Sequence, residues 1–140
     1  MIYFDTDVLV HFVINQDEMN HSVAKKMIIE AVQNSKFTLS MLSLQEWLFV
    51  MAKLSVSTEI IERNYAIFKQ FATLSIDMET FERGHEIASQ IGFRHINDCL
   101  HTAIAEKYCS ELITYNQNDF KKISKISTLK VTILKLHPCE

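Results

Sequence analysis

Short apolar runs alternate along this chain with longer segments in which apolar residues recur at every third or fourth position. The runs have the length of β-strands and occupy residues 2–5, 37–41, 72–76, 111–115 and 130–136. A spacing of three or four residues is typical of a helix with one buried face, and it is found in residues 23–31, 44–54, 60–71, 81–91 and 100–108. This alternation predicts an α/β protein whose helices cover both faces of a parallel sheet.

Length and composition narrow the class of protein. The 140 residues suit one domain, 1–140, and no linker or internal repeat interrupts them. Apolar residues make up 48% of the chain, which contains two glycines and one proline. That scarcity of glycine and proline is unlike a β-sandwich or a glycine-rich nucleotide-binding fold.

The cysteines and the apolar runs indicate the cellular compartment of the protein. The three cysteines, Cys99, Cys109 and Cys139, are odd in number and form no CxxC pair, which indicates reduced thiols in a cytoplasmic protein. No signal-peptide pattern is visible, and the longest apolar run, 47–52, is too short to span a membrane. We therefore expect a cytoplasmic protein with no membrane partner.

The charge of the chain is uninformative about a nucleic-acid partner. Non-specific nucleic-acid binders are often basic, whereas this chain has a net charge of −3. A local basic patch could still serve, and four lysines lie close together late in the chain: Lys121, Lys122, Lys125 and Lys130. Their spacing favours the solvated face of a helix over a binding patch.

Acidic and amide side chains follow several of the predicted strands. Asp5 ends the first run, Glu46 comes shortly after the second, and Asn116 and Asp119 follow the fourth. Because the carboxyl ends of parallel strands meet at one edge of a sheet, we expect these side chains to gather there. Asp98, near the start of a helical segment, joins them if its helix begins at the same edge.

Each of these residues also has a purely structural alternative. Ser43 and Glu46 have the spacing of a capping box, in which Glu accepts from a free backbone N–H at a helix start. The other possible caps and first-turn acids are Asp7, for a helix over 8–14, and Asp98, Asn116 and Asp119. Taken together, however, three or four carboxylates at one edge repel each other unless a cation lies among them.

The type of side chain indicates which cation would fit. Oxygen ligands without a cysteine or histidine cluster suit Mg²⁺ or Mn²⁺. No histidine pair has the spacing of a known ligand motif. His101 lies three residues after Asp98 and shares a helix face with it, so we expect it to pack beside the site without binding the ion.

Four fragments carry a resemblance to a known family: "YFDTDVLVHF", "SLQEWL", "INDCLHTAIAEKY" and "LITYNQNDFKKI". In their order and spacing the chain resembles the PIN-domain ribonucleases over essentially its whole length. It is most similar to the VapC-type toxins of type II toxin–antitoxin pairs. The resemblance implies a PIN-like α/β fold with a central parallel sheet of order 3-2-1-4-5, flanked by helices on both faces.

The resemblance also implies a site and an activity. The implied activity is cleavage of RNA phosphodiesters by a water activated by Mg²⁺ or Mn²⁺, in a toxin that a small antitoxin neutralises. The implied metal ligands are Asp5, Glu46 and Asp98, and the catalytic set adds Asn116 and Asp119. The residues expected around them are Thr6, Asp7, Thr114 and His101. Asn116 stands at the position of the family's fourth acid, and whether it or Asp119 reaches the metal is left open.

A homodimer is expected because the family generally forms one. The helical segment 44–54 adds partial support, because its apolar residues lie on more than one face: Trp47, Phe49, Val50 and Met51. A single core needs only one apolar face. We therefore predict a homodimer.

Three rival interpretations remain. In a haloacid-dehalogenase-type phosphatase, Asp5 would be the nucleophile and Asp7 the acid/base, but neither Gly84 nor Gly92 lies beside an Asp as that family requires. In a receiver-like domain Asp77 would be phosphorylated and Lys135 would be its lysine, which leaves Glu46 and Asp98 unexplained. A PIN fold without catalysis, binding only RNA or protein, is compatible with Asn116.

Overall fold

A five-stranded parallel sheet lies at the centre of the computed structural model, which describes residues 1–137. The strands are β1 (Ile2–Phe4), β2 (Phe37–Ser40), β3 (Ala72–Leu74), β4 (Glu111–Thr114) and β5 (Lys130–Ile133). Their order is β3-β2-β1-β4-β5, and every neighbouring pair is parallel. The predicted α/β class and strand order are therefore confirmed.

Helices connect the strands. Within the described residues they are α1 (Thr6–Val13), α2 (Glu18–Gln33), α3 (Met41–Lys53), α4 (Thr58–Phe68), α5 (Met78–Ile91), α6 (Ile96–Tyr108) and α7 (Gln117–Ile123), with a short 3-10 helix at Phe93–His95 before α6. No helix in residues 1–137 combines the length and the apolar character that crossing a membrane requires.

Two separate cores lie on the two faces of the sheet. Neighbouring residues of a strand point to opposite faces, and accordingly Phe4 belongs to one core and Tyr3 to the other. The core around Phe4 contains buried residues of α1, α2, α3 and α4, such as Trp47. The core around Tyr3 contains buried residues of α5, α6 and α7, such as Ile104. Helices thus cover both faces, as predicted.

Each strand is shorter than the apolar run that predicted it, by one residue in β1, β2 and β4 and by two or three residues in β3 and β5. β3 ends at Leu74 and β5 at Ile133, so residues 75–76 and 134–136 lie outside the strands. Residue 41 is also no part of a strand, because Ser40 caps α3 and Met41 is its first residue. Apolar character indicates burial, and it does not mark where a strand ends.

The thiols described in the structure are free. Cys99 is buried and Cys109 is half-buried, and both are unpaired. Burial raises the pKa of each thiol to about 11, so neither is a ready nucleophile. Cys139 lies outside the described residues.

Candidate active site

A cleft of about 780 Å³ opens where the carboxyl ends of β1 and β4 meet. Chain connections leave β1 in opposite directions on its two sides, which is where open α/β sheets bind ligands. The side chains predicted for the site that line this cleft are Asp5, Thr6, Asp7, Glu46, Asp98 and Asn116. The expected gathering of acids at one edge is therefore present, and Asp98 joins it because α6 begins there.

Asp5 is buried and bonded through both carboxylate oxygens. It caps α1 by accepting from the Thr6 N–H at 2.8 Å, and it accepts from the Thr114 hydroxyl at 2.8 Å. The sequence suggested Asp7 as the possible cap of this helix, and that alternative is wrong. The helix begins two residues earlier than the apolar pattern indicates, at Thr6.

Asp7 turns back toward β4 from the first turn of α1. Its carboxylate accepts from the Tyr115 N–H at 3.1 Å and lies 3.3 Å from the Thr114 hydroxyl. Burial, and then the charge of Asp5, raise the pKa of Asp7 well above its usual range. The two aspartates on either side of Thr114 are thus too close for both to ionise at no cost.

Glu46 is held from two sides in α3. Its Oε2 accepts from the Thr6 hydroxyl at 2.7 Å and from Nε2 of His101 at 2.8 Å. Burial opposes ionisation of Glu46, but the hydrogen bond and charge of His101 outweigh it and lower the pKa of Glu46. This carboxylate is therefore ionised and fixed in direction.

The capping-box alternative for Glu46 is wrong. Ser40, not Ser43, caps α3, and its hydroxyl accepts from the Ser43 N–H at 3.0 Å. Glu46 makes no bond to the start of its own helix and instead joins α3 to α1 and α6. The Glu46 carboxylate therefore lines the cleft and does not cap its own helix.

Behind Glu46 lies a polar network that sequence reasoning missed. His101 is buried, and its Nδ1 lies 2.6 Å from the hydroxyl of Tyr3, which in turn contacts Ser40 and Ser43. Burial would lower the pKa of His101, but the Tyr3 hydroxyl and Glu46 raise it well above its usual range. No local pattern announces this network, because Tyr3 lies within an apolar strand.

Asp98 sits in the first turn of α6 at the other side of the cleft. Burial, the charge of Asp5 and a hydrogen bond with Asp119 raise the pKa of Asp98 to about 8. For Asp119, burial is outweighed by that bond and by bonds from Asn116 and His95, so its pKa is lowered. Near neutral pH, Asp98 therefore holds a proton that it donates to Asp119.

Asn116 and Asp119, the two residues that the sequence suggested near the end of β4, differ in how they face the cleft. Asn116 lines the cleft and caps α7, accepting from the Asp119 N–H at 3.2 Å, so its predicted capping role is confirmed. Its amide lies 3.3 Å from Asp98 and 3.1 Å from the Asp119 carboxylate. Asp119 is not among the residues that line the cleft, and its other oxygen lies 3.1 Å from Nδ1 of His95.

Comparison with protein families identifies the fold. A sequence model of the PIN domain matches residues 2–126. The chain belongs to the PIN domain family. No curated protein matches it.

Solved structures with the same fold span nearly the whole PIN domain. A structure of VapBC2 from Rickettsia felis, bound to a DNA fragment from its promoter, has a chain with a TM-score of 0.64 and 16% identity, covering 96% of this chain and 100% of its own. VapBC-1 from nontypeable Haemophilus influenzae gives 0.62 and 20%, covering 95% and 98%. FitAcB from Neisseria gonorrhoeae gives 0.64 and 17%, covering 94% and 96%. At these identities the likeness establishes the fold.

Family membership removes two of the rival interpretations. A receiver-like domain has strand order 2-1-3-4-5, whereas this PIN domain has 3-2-1-4-5. Asp77, the residue such a domain would phosphorylate, instead caps α5 and pairs with Lys107 at 2.6 Å. The phosphatase interpretation is also wrong, because residues 2–126 match a PIN domain.

The cleft fits a divalent cation by donor type and by charge. The acidic side chains that line it offer carboxylate oxygens, which are the ligand atoms that Mg²⁺ and Mn²⁺ prefer. Burial, and then the charge of Asp5, raise the pKa of Asp98, so a proton or a cation near this carboxylate would be favoured. Within residues 1–137, however, no group of three or more acidic, histidine or cysteine side chains is arranged closely enough to hold a metal ion.

Proposed function

We propose that this PIN domain is a metal-dependent endoribonuclease that cleaves RNA phosphodiester bonds. One observation carries the proposal: the cleft of a PIN fold brings together Asp5, Glu46 and Asp98 from three separate elements. Each is a carboxylic acid, and two of them are fixed by hydrogen bonds to neighbouring residues. A structural role alone does not explain why these acids face a shared open cleft.

We infer that Asp5, Glu46 and Asp98 would hold Mg²⁺ or Mn²⁺, as the resemblance to PIN ribonucleases implies. When bound, such an ion lowers the pKa of a water molecule and stabilises the charge that develops on the phosphate. Asp98 must release its shared proton to act as a ligand. Asn116, which lies within 3.3 Å of Asp98, then keeps that carboxylate directed into the cleft.

The surrounding residues orient the acids. Thr6 and His101 both donate to one oxygen of Glu46, which leaves its second oxygen free to accept a proton or meet an ion. Thr114 donates to Asp5 from the end of β4, so the sheet itself sets the position of that acid. These contacts support the predicted supporting roles of Thr6, Thr114 and His101.

We further propose that the nuclease is the toxin of a toxin–antitoxin pair. The VapBC and FitAcB structures, which share its fold, support this proposal. An apolar groove of about 310 Å³ between α2 and α4, with exposed Ile29, Val32 and Ile67 on its walls, suits the apolar tail of a small antitoxin. Two further parts of this proposal are a homodimeric state and a cytoplasmic location, where RNA substrates are available.

The direct test is cleavage of structured RNAs by purified protein with Mg²⁺, with Mn²⁺ and with EDTA. We expect endonucleolytic products with either metal, none in EDTA, and none from Asp98→Asn. A folded protein that binds these RNAs and cleaves none of them with either metal would instead support the rival interpretation of a non-catalytic PIN fold.

A growth assay tests the toxin proposal separately. Expression of the wild-type chain alone should arrest growth, and co-expression of a small protein encoded next to it should relieve the arrest. Asp98→Asn, produced at the same level on a gel, is the matched control and should be harmless. Healthy growth with abundant wild-type protein would contradict a toxin role while leaving the nuclease proposal to the cleavage assay.

A further inference from the structure

The proposed nuclease cleft faces an electrostatic problem with its own substrate. Asp5, Asp7, Glu46 and Asp98 all line it, whereas RNA carries a negative charge on every phosphate. A metal ion offsets the repulsion at the reacting phosphate only. Among the described residues that line the cleft, Arg94 alone carries a permanent positive charge.

Arg94 differs from the other arginines in its partners. Arg63 lies 3.0 Å from Glu59, and Arg83 lies 2.8 Å from Glu106. Arg94 is exposed, and within residues 1–137 no carboxylate oxygen lies within 4.0 Å of its side-chain nitrogens. Its charge is therefore available to an anion that enters the cleft.

A hydrogen-bonded chain fixes the direction of this guanidinium. Nε of Arg94 donates to Nε2 of His95 at 3.3 Å, and Nδ1 of His95 lies 3.1 Å from the carboxylate of Asp119. With Nδ1 donating to Asp119, Nε2 of the neutral ring is an acceptor, which matches the donor that Arg94 offers. The two terminal nitrogens of Arg94 are left for another partner.

The backbone places this chain beside the acids. Gly92 ends α5 with φ of 118°, a conformation that side chains disfavour, and the 3-10 turn Phe93–His95 follows at once. Asp98 lies one helical turn after Arg94, so the guanidinium and a proposed metal ligand stand at the same rim of the cleft.

We propose that Arg94 binds a phosphate of the RNA strand at the rim of the cleft, and that Asp119 and His95 are positioning residues for Arg94. The inference rests on the proposed nuclease function and adds to it. The planar guanidinium suits a phosphate because it donates two parallel hydrogen bonds. Asp119 then serves the substrate side of the site through His95.

Binding of RNA tests the role of Arg94. Asp98→Asn serves as the non-cleaving background, and a short fluorescent single-stranded RNA reports affinity by anisotropy in Mg²⁺ over a series of salt concentrations. We expect Arg94→Ala to weaken binding at least about tenfold, because the charge-assisted hydrogen bonds to the phosphate are lost. The slope of log affinity against log salt should fall by about 0.7, the value for one phosphate contact on a single strand. Arg94→Lys should retain part of the affinity.

Arg63→Ala is the matched control, since Arg63 is an exposed arginine on α4 that does not line the cleft. It should leave both affinity and slope unchanged. Arg94→Ala with the affinity and salt slope of its parent would overturn the inference.

A double-mutant cycle tests the positioning role. His95→Ala should weaken binding about threefold, and Asp119→Asn similarly, because each loosens the guanidinium without removing its charge. Neither change should weaken binding further once Arg94 is already Ala. Additive losses in the Arg94→Ala background would show that His95 and Asp119 act independently and would remove them from this role.

The outcomes also separate this inference from the proposed function. If wild-type protein cleaves RNA and Arg94→Ala cleaves and binds equally well, the inference fails and the nuclease stands. If wild-type protein neither binds nor cleaves RNA, both fail. Stabilisation of wild type by Mg²⁺ in thermal unfolding, unchanged in Arg94→Ala, is expected as the sign that the metal site is intact.

Discussion

Nε2 of His101 lies 2.8 Å from Oε2 of Glu46, although 55 positions separate the two residues in the sequence. The other ring nitrogen of His101 lies 2.6 Å from the hydroxyl of Tyr3 in β1. The imidazole is therefore held at both nitrogens, and it joins the central strand to the carboxylate that faces the cleft. Through His101, the central strand therefore helps to fix the position of a carboxylate in the proposed catalytic site.

Replacing His101 tests this connection. His101→Ala leaves Glu46 and Tyr3 without their buried partner, so we expect the free energy of unfolding to fall by about 3 kcal/mol. Cleavage of RNA should fall as well, because Glu46 loses its fixed direction. Urea unfolding measures the first effect. His85→Ala, an exposed histidine of α5, is the control and should change stability little. A His101→Ala protein as stable as wild type would contradict the proposed connection.

Asp98 should make the metal-free protein less stable as pH rises. An ordinary aspartate has a pKa of 3.8, whereas that of folded Asp98 is raised to about 8. Between these values the folded state binds more protons than the unfolded state, so stability in EDTA falls as pH rises through this range. Asp98→Asn removes this titration, and its stability should fall less steeply over the same range.

Thermal unfolding in EDTA at a series of pH values measures the difference between the two proteins. Asp98→Asn should equal wild type near pH 4 and melt higher near pH 8. Glu82→Gln, which changes an exposed acid of α5, is the control and should follow the wild-type curve. Added Mg²⁺ should stabilise wild type increasingly as pH rises, because the ion and the proton compete for Asp98. Parallel curves for wild type and Asp98→Asn would remove Asp98 from the site.

The parallel sheet and the acidic edge could be expected from the sequence because both depend on alternation. Alternating strands and helices imply a parallel sheet, and a parallel sheet brings Asp5, Glu46 and the segment 116–119 to one edge. Assignment of the order 3-2-1-4-5 required the family resemblance, because periodicity alone does not distinguish it from other parallel orders.

Contacts between distant residues could not be read from the sequence. Tyr3 contacts His101 across 98 positions, and nothing in the apolar run around Tyr3 indicates a polar partner. The capping alternatives for Asp7 and Glu46 failed for a related reason, whereas that for Asn116 was confirmed. Asp5 and Asp7 are both of a residue type that caps helices, but the carboxylate of Asp7 accepts from the Tyr115 N–H, which lies more than 100 positions away in the sequence. Tertiary contacts, which local spacing does not contain, decided both.

Gly84 allows α5 and α6 to approach closely. A Cβ at this position would lie 2.6 Å from Cδ2 of Leu100 and 3.2 Å from its backbone Cα. We expect Gly84→Ala to lower the free energy of unfolding by up to about 2 kcal/mol, because an overpacking cost of about 1–3 kcal/mol outweighs the gain of about 1 kcal/mol in helix propensity. Displacement of α6 should also lower RNA cleavage, since Asp98 lies two residues before Leu100.

Gln90→Ala is the control for this change, since Gln90 is an exposed residue of the same helix. It should leave stability equal or slightly higher, through helix propensity alone. Urea unfolding of both variants gives the comparison. A Gly84→Ala protein that gains as much stability as Gln90→Ala would show that α6 moves aside at no cost.

The apolar surface of α3 leads to the prediction of a homodimer. Trp47 and Met51 are fully buried in the core, whereas Phe49 on the same helix is 70% exposed. One core requires only one apolar face on α3, and a large exposed aromatic ring on a second face often anchors a protein interface.

Light scattering at micromolar concentration should give twice the monomer mass of 16.3 kDa. Phe49→Ser should shift the mass toward the monomer, while Met19→Ser, at another exposed apolar residue on α2, should not. A monomeric mass for wild type would refute the homodimer, and a dimer unaffected by Phe49→Ser would place the interface on another face.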